Sequence, residues 1–177
     1  MPHIKEKTRK LDIGCGTKKV EGAIGLDIVS LPGVDVVHDL NSFPYPFEDS
    51  SFDEIYCYDV LEHLDNLLKT MEELHRIGAN GCKIFIKVPY ALCTDAFTDP
   101  THKRHFTINS FDYFTEKGHR FSEFNFYSKA RFNILKAEKV YAESGFIKIL
   151  PKRVKEILSN HIFDICWALN FELQVVK

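Results

Sequence analysis

The segment Leu11-Asp12-Ile13-Gly14-Cys15-Gly16, followed by Gly25-Leu26-Asp27, constrains the fold more than any other stretch of the chain. The run Lys10 to Ile13 reads as a strand that delivers the backbone into a turn. Two glycines there, lacking Cβ atoms, let a ligand approach the main chain. A second strand, Ala23 to Leu26, ends in the Asp27 carboxylate, which can accept both hydrogen bonds of a ribose diol. Adjacent parallel strands place the turn and the carboxylate side by side. A dinucleotide fingerprint needs a third glycine at position 19, where this chain has Lys19, and that argues against a nicotinamide cofactor. Between Gly16 and the next strand lie only Thr17 to Gly22, whereas a parallel crossover takes about ten to twelve residues with its helix. The first helix is expected to be a single turn or absent.

Strand and helix signals alternate downstream, the pattern of a parallel sheet with helices on both faces. Strands are expected at about 9–13, 23–27, 34–38, 53–58 and 82–88. The clearest helix runs from about 64 to 77, where Leu61, Leu64, Leu67, Leu68, Met71, Leu74 and Ile77 recur at three and four and would face the sheet. Gly78 and Gly81 bracket its end as cap and turn. Phe132 to Ala142 and Asn170 to Lys177 read as an antiparallel closing pair, with a helical excursion over Lys152 to Trp167 between them. The aromatic-rich stretch from Phe106 to Phe132 reads as a satellite core or as a lid, part of a cap at about 90–131.

The motifs fall in order: Val36-Val37-His38-Asp39-Leu40, then Phe43 to Asp49, then Ser51 to Leu64, then Arg76 to Cys82 leading to Val88-Pro89-Tyr90. In that order and spacing, residues 9 to about 115 resemble a class I S-adenosylmethionine-dependent methyltransferase of the type 11-like family. The resemblance implies an α/β fold: a three-layer Rossmann-like sandwich on a mostly parallel seven-stranded sheet, with an antiparallel C-terminal strand pair and a shortened first helix. It implies S-adenosylmethionine as cofactor. Asp12, Gly14, Cys15 and Gly16 would flank its methionine part, Asp27 would take the ribose hydroxyls, Asp39 and the Leu40 backbone would read the adenine, and Tyr58 would line the same pocket. Read from the residues alone, Asp39 is as well explained as a turn or cap residue.

At 177 residues, 45% of them hydrophobic, the chain suffices for one core and is short for two, so a single domain over residues 1–177 is expected. The net charge of -2 gives no global attraction for nucleic acid or anionic membrane, though it leaves room for local clusters. Cys15, Cys57, Cys82, Cys93 and Cys166 form no C-x-x-C pair and read as small apolar fillers. With no signal-peptide pattern and no apolar run of spanning length, a soluble, cytoplasmic protein with reduced thiols is expected.

Methyl transfer from a sulfonium needs nucleophile, carbon and sulfur held in line, and a base only for an acceptor that carries a proton. Histidine suits that task near neutral pH. His63 follows the fourth strand, and His102 and His105 follow the fifth, so the three are candidate catalytic residues at neighbouring strand ends. Asp59, Glu62 and His63 also have a D-x-x-E-H spacing which, with His102 or His105, is similar to metal-assisted O-methyltransferases that modify ubiquinone precursors or small-RNA ends. Lys103 and Arg104 would add positive charge at the acceptor mouth. The expected partner is a small-molecule acceptor bearing a hydroxyl or amine, with no clear nucleic-acid signal and no membrane. The alternatives are a noncatalytic S-adenosylmethionine-binding or partner-binding module, favoured if aromatic residues fill the acceptor edge, and a metal-assisted O-methyltransferase.

Overall fold

The computed structural model describes residues 8–143 and 145–177. Its first strands are β1 (Lys10–Ile13), β2 (Ile24–Asp27), β3 (Val36–Val37) and β4 (Phe52–Tyr58). Helix α1 (Leu67–Ile77) leads into β5 (Gly78–Pro89). Short helices α2 (Asp95–Thr98) and α3 (Phe121–Phe124) precede β6 (Arg131–Tyr141), and α4 (Lys152–Leu158) precedes β7 (Cys166–Val176). The seven strands form one sheet in the order β3-β2-β1-β4-β5-β7-β6. The first five are parallel, and β7 runs antiparallel to both β5 and β6.

Register explains where a site can form. Ile13 lies opposite Leu26 on one side and Cys57 on the other, so the Gly14 turn, Asp27 and Tyr58 leave the sheet at one edge. Cys57 in turn pairs with Ile86, which brings the segment after β5 to the same edge. That edge holds the carboxyl ends of the parallel strands, where open α/β sheets bind ligands.

Alternation builds the core. Cys82, Ile84, Ile86 and Val88 of β5 and Leu169, Phe171, Leu173 and Val175 of β7 are buried on the face that α1 covers. From α1 itself, Met71, Leu74 and Ile77 are fully buried, whereas Leu68 is exposed, so the apolar stripe is narrower than its spacing predicts. The opposite face is covered over β1 and β2 by turns of residues 14–22, with no first helix. Farther along, that face carries a Lys83–Glu172 ion pair at 2.7 Å and Tyr56 stacked on Phe85 at 5.0 Å, the polar and aromatic ladder of a solvated sheet surface.

Three sequence expectations change. Leu61 to His63 form a separate 3₁₀ turn, and α1 starts only after Asn66, whose side chain accepts the Lys69 N–H at 3.1 Å as an N-cap. At the other end β5 starts at Gly78, which takes an extended rather than left-handed conformation, and Gly81 supplies the positive φ of 83°. The helix expected over Lys152 to Trp167 stops at Leu158, because Cys166 and Ala168 already pair with Tyr141 and Val140 in β7. The aromatic stretch packs beside α1 in the manner of the satellite core rather than the lid. Phe111 meets Phe171 edge-on at 4.8 Å, Phe114 lies 6.2 Å from Phe132, and Ser128 donates to Glu72 of α1 at 2.8 Å. A helix about 10 Å wide covers roughly two strands spaced about 4.8 Å apart, so the apolar faces of β7 and β6 need another cover.

Candidate functional site

The glycine turn is tied to β2 by two donors, the Gly14 and Cys15 N–H groups, which both reach the Leu26 carbonyl at 2.8 and 3.2 Å. The Asp27 carboxylate closes the turn from below, accepting the Gly16 N–H at 2.9 Å and the Val29 N–H at 3.1 Å. One bond to each oxygen leaves acceptor capacity for a diol. Gly14 and Gly16 have φ of 65° and 50°, but they differ in surroundings. A Cβ on Gly14 would meet Val60 at 2.5 Å, so this glycine is required by packing. A Cβ on Gly16 would meet nothing within 4 Å, so the space beside it is open to a ligand. Asp12 is buried beneath the turn, accepts the Val20 N–H at 2.8 Å, and its carboxyl is raised by burial. Asp12, Gly14, Cys15, Lys18, Tyr58 and Asp59 line a cleft of about 700 Å³. Asp39 accepts the Asn41 N–H at 2.9 Å as a turn residue would, and the Leu40 carbonyl accepts the Tyr45 hydroxyl at 3.1 Å.

A second cleft, of about 580 Å³, adjoins the first and shares Asp59 and Lys87 with it. Those two residues form an ion pair of 2.7 Å between the clefts. Asp59 turns the chain at the end of β4 with φ 51°, and its N–H donates to the Lys87 carbonyl at 2.9 Å. The turn presents Glu62 and His63 to the second cleft. From the other side, residues 91–105 leave β5 and return at Phe106, whose carbonyl accepts the Ala91 N–H at 2.7 Å. This loop carries His102, whose ring centroid lies 4.8 Å from that of His63.

Hydrogen bonding sets both tautomers. Asp99 Oδ1 accepts the Thr101 hydroxyl at 2.6 Å, so Thr101 Oγ1 is left as acceptor for His63 Nδ1 at 2.9 Å. His102 Nδ1 lies 3.2 Å from the Ala96 carbonyl oxygen, which can only accept. Each ring therefore keeps its proton on Nδ1 and has a lone pair on Nε2. Between them sits Glu62, 1% exposed, with neither carboxylate oxygen hydrogen-bonded to any described residue. Burial pushes its carboxyl up to about 7, and desolvation lowers His63. One carboxylate oxygen and one nitrogen of each ring lie within 4.8 Å of one another. Acceptors so gathered repel unless a proton or cation sits among them.

The structure thus brings His63 and His102 together and leaves His105 apart, stacked on Phe97 at 4.4 Å. Asp59 is engaged by Lys87 and does not join Glu62, His63 and His102. Lys103 and Arg104 do not arm the acceptor mouth either. Lys103 pairs with Asp65 at 2.6 Å, and Arg104 donates to the Leu64 and Asp65 carbonyls, so together they fasten the loop to the start of α1. Sequence reasoning overlooked Asp99, Thr101 and Lys87. The D-x-T spacing was a usable signal for the first two, since Asp99 also accepts the Thr101 N–H at 2.8 Å in an Asx turn. Among the described residues no helix is long and apolar enough to cross a membrane, and all five cysteines are free and buried.

The profile of the methyltransferase-domain family matches residues 1–132. No curated protein matches the chain. Among solved structures, an S-adenosylmethionine-dependent methyltransferase from Mesorhizobium loti aligns over 98% of this chain and 93% of its own, at 15% identity and TM-score 0.59. Another, from Archaeoglobus fulgidus, aligns over 98% and 88% at 18% identity and TM-score 0.59. A chain in the complex between the Haloferax volcanii Trm112 methyltransferase activator and a methyltransferase aligns over 97% and 84% at 13% identity and TM-score 0.60.

Proposed function

Because the chain belongs to the methyltransferase-domain family and is an S-adenosylmethionine-dependent enzyme of class I, we propose that it methylates a hydroxyl or amine of a small-molecule acceptor held in the cleft of His63 and His102. The observation that carries this reading is the adjacency of the two clefts, one lined by Asp12, Gly14, Cys15 and Tyr58 at the glycine turn, the other by two histidines with free Nε2 lone pairs. S-Adenosylmethionine suits the strand ends at the first cleft, because Gly14 and Cys15 of the turn line that cleft, Gly16 of the same turn leaves open space, and Asp27 bound to Gly16 retains acceptor capacity for the ribose. When bound it supplies a methyl group on a sulfonium, ready for in-line displacement. Asp12, Gly14, Cys15 and Tyr58 would line its methionine end, and Asp39 and Leu40 the adenine end.

The chain's own contribution is orientation and proton transfer. His63 or His102 would take the proton of the acceptor hydroxyl or amine on Nε2, and the Asp99–Thr101 relay holds His63 in the basic tautomer. The second cleft is lined by the loop carrying His102 and is not filled by the aromatic stretch, which weighs against a noncatalytic binding module.

The buried, unpartnered Glu62 favours a second reading, in which a divalent cation completes the cluster. One carboxylate and two imidazoles suit zinc, manganese, iron or cobalt better than magnesium or calcium. Glu62, His63 and His102 would hold the ion, and it would acidify a hydroxyl bound to it.

The test is release of S-adenosylhomocysteine across a panel of hydroxyl and amine acceptors, with and without chelator. A histidine base predicts indifference to chelator and a loss of about a hundredfold in His63→Ala or His102→Ala. The metal reading predicts loss on chelation, recovery with zinc or manganese, and no metal-dependent thermal shift in Glu62→Gln. Full turnover in both histidine variants would refute base and metal together.

A further inference from the structure

Between β6 and β7 lies a segment that the proposed chemistry does not use. Residues 145–163 comprise a 3₁₀ turn, Gly145–Ile149, and α4, and neither element contains a buried residue. Large apolar side chains nevertheless recur through it: Phe146 is 64% exposed, Ile149 82% and Ile157 57%, with Val154, Ile162 and Phe163 also exposed. Soluble surfaces scatter such residues singly, and a run of them marks something that covers it. The segment lies outside residues 1–132, the part that matches the family profile.

Charge identifies the cover. Lys148, Lys152, Arg153 and Lys155 stand in this segment against the single acid Glu156, while the whole chain has a net charge of -2. Apolar side chains interleaved with lysines complement an anionic lipid surface, where the apolar groups enter the headgroup boundary and the cations meet phosphates. A second copy of the chain fits worse, because a twofold contact would set these cations against themselves. A protein partner also fits worse, since lysine is depleted from protein interfaces.

Position links the patch to the acceptor cleft. Phe163 lies 6.1 Å from Phe97 of α2, which is itself 59% exposed, and Asp95 and Thr98 of the same helix line the cleft of His63 and His102. Asp164 fixes the junction by accepting both the Thr94 N–H and its hydroxyl at 2.6 Å. We propose that residues 145–163 dock the protein on an anionic bilayer surface, and that its acceptor is the polar end of a membrane-resident amphiphile. The second half rests on the methyl-transfer reading above, and the first does not.

The test is co-sedimentation of the full chain with vesicles of phosphatidylcholine alone or mixed with phosphatidylglycerol. Binding is expected only to the mixed vesicles, to weaken at high salt, and to fall at least about tenfold in Ile149→Glu/Ile157→Glu and in Lys152→Glu/Arg153→Glu. Both pairs lie on exposed positions, and unchanged circular dichroism and S-adenosylhomocysteine binding would certify their folds. Absence of binding to mixed vesicles, or equal binding by all three proteins, overturns the docking surface. So does a concentration-dependent dimer in analytical ultracentrifugation that Ile149→Glu/Ile157→Glu abolishes, because the patch then joins two copies. If docking holds but vesicle-borne hydroxyl and amine lipids are no better methylated than soluble acceptors, only the assignment of the acceptor falls.

Discussion

Glu62 is the residue whose environment is least balanced, and its protonation has a measurable consequence. Burial raises its carboxyl from the ordinary 4.5 to about 7, so the folded chain holds the proton more tightly than the unfolded chain does. The stability linked to that proton is fully present below the unfolded value and is lost as pH rises through about 7. Chelator-treated protein is therefore expected to weaken from mildly acidic to mildly alkaline pH. Glu62→Gln, an uncharged isostere whose amide can donate to the histidines, should flatten that part of the profile. Denaturant midpoints at pH about 5.5 and about 8 check it, and identical pH dependence in both proteins would clear Glu62 as the cause. None of this was readable from Val60-Leu61-Glu62-His63-Leu64, because whether a carboxylate after a strand is solvated or buried depends on a loop 40 residues away, the one that brings His102. The glycine turn and Asp27 were legible for the opposite reason: their geometry is set by the two strands that flank them.

Elements were legible where one local period dominates. In β4 and β5 the two-residue alternation decides which face is buried, so the predicted strands fell close to Phe52–Tyr58 and within Gly78–Pro89. The start of α1 was misread because Leu61 and Leu64 continue its three-and-four spacing although they belong to a 3₁₀ turn and the link beyond it, before the Asn66 cap. The aromatic stretch carried no period at all, and its place beside α1 follows from what β7 and β6 leave uncovered. Within α1, burial separates neighbours that spacing treats alike. Leu74 is fully buried, and its truncation to alanine should cost about 2–5 kcal/mol. Leu68, exposed in the first turn, should cost less than about 0.5 kcal/mol when truncated the same way. Urea unfolding of the two variants measures the contrast, and equal losses would mean that α1 packs through a different face.

On the scale of the whole molecule, the notable economy is on one side of the sheet, where turns of residues 14–22 replace a crossover helix and a solvated ladder stands in the open. A cofactor laid across the ends of β1, β2 and β4 would then add to the strand pairing, the turn, Asp27 and Val60 as a further link between these segments. Ligand binding to the folded state alone stabilises by about 2.7 kcal/mol at a hundredfold excess over Kd. For a chain of this size each kcal/mol moves Tm by about 2–4 °C, so S-adenosylhomocysteine should raise Tm by about 5–11 °C, and NAD, disfavoured by Lys19, should leave it unmoved. Asp27→Ala removes charged hydrogen-bond acceptors that contribute about 1.5–3 kcal/mol to binding. At the same ligand concentration it should therefore lose at least half of that shift, while its ligand-free Tm falls only by what the bonds to Gly16 and Val29 contribute. Scanning calorimetry of both proteins with each ligand separates the two effects. An undiminished shift in Asp27→Ala would move the ribose away from β2, and a shift with NAD equal to that with S-adenosylhomocysteine would remove the glycine turn as a discriminating site.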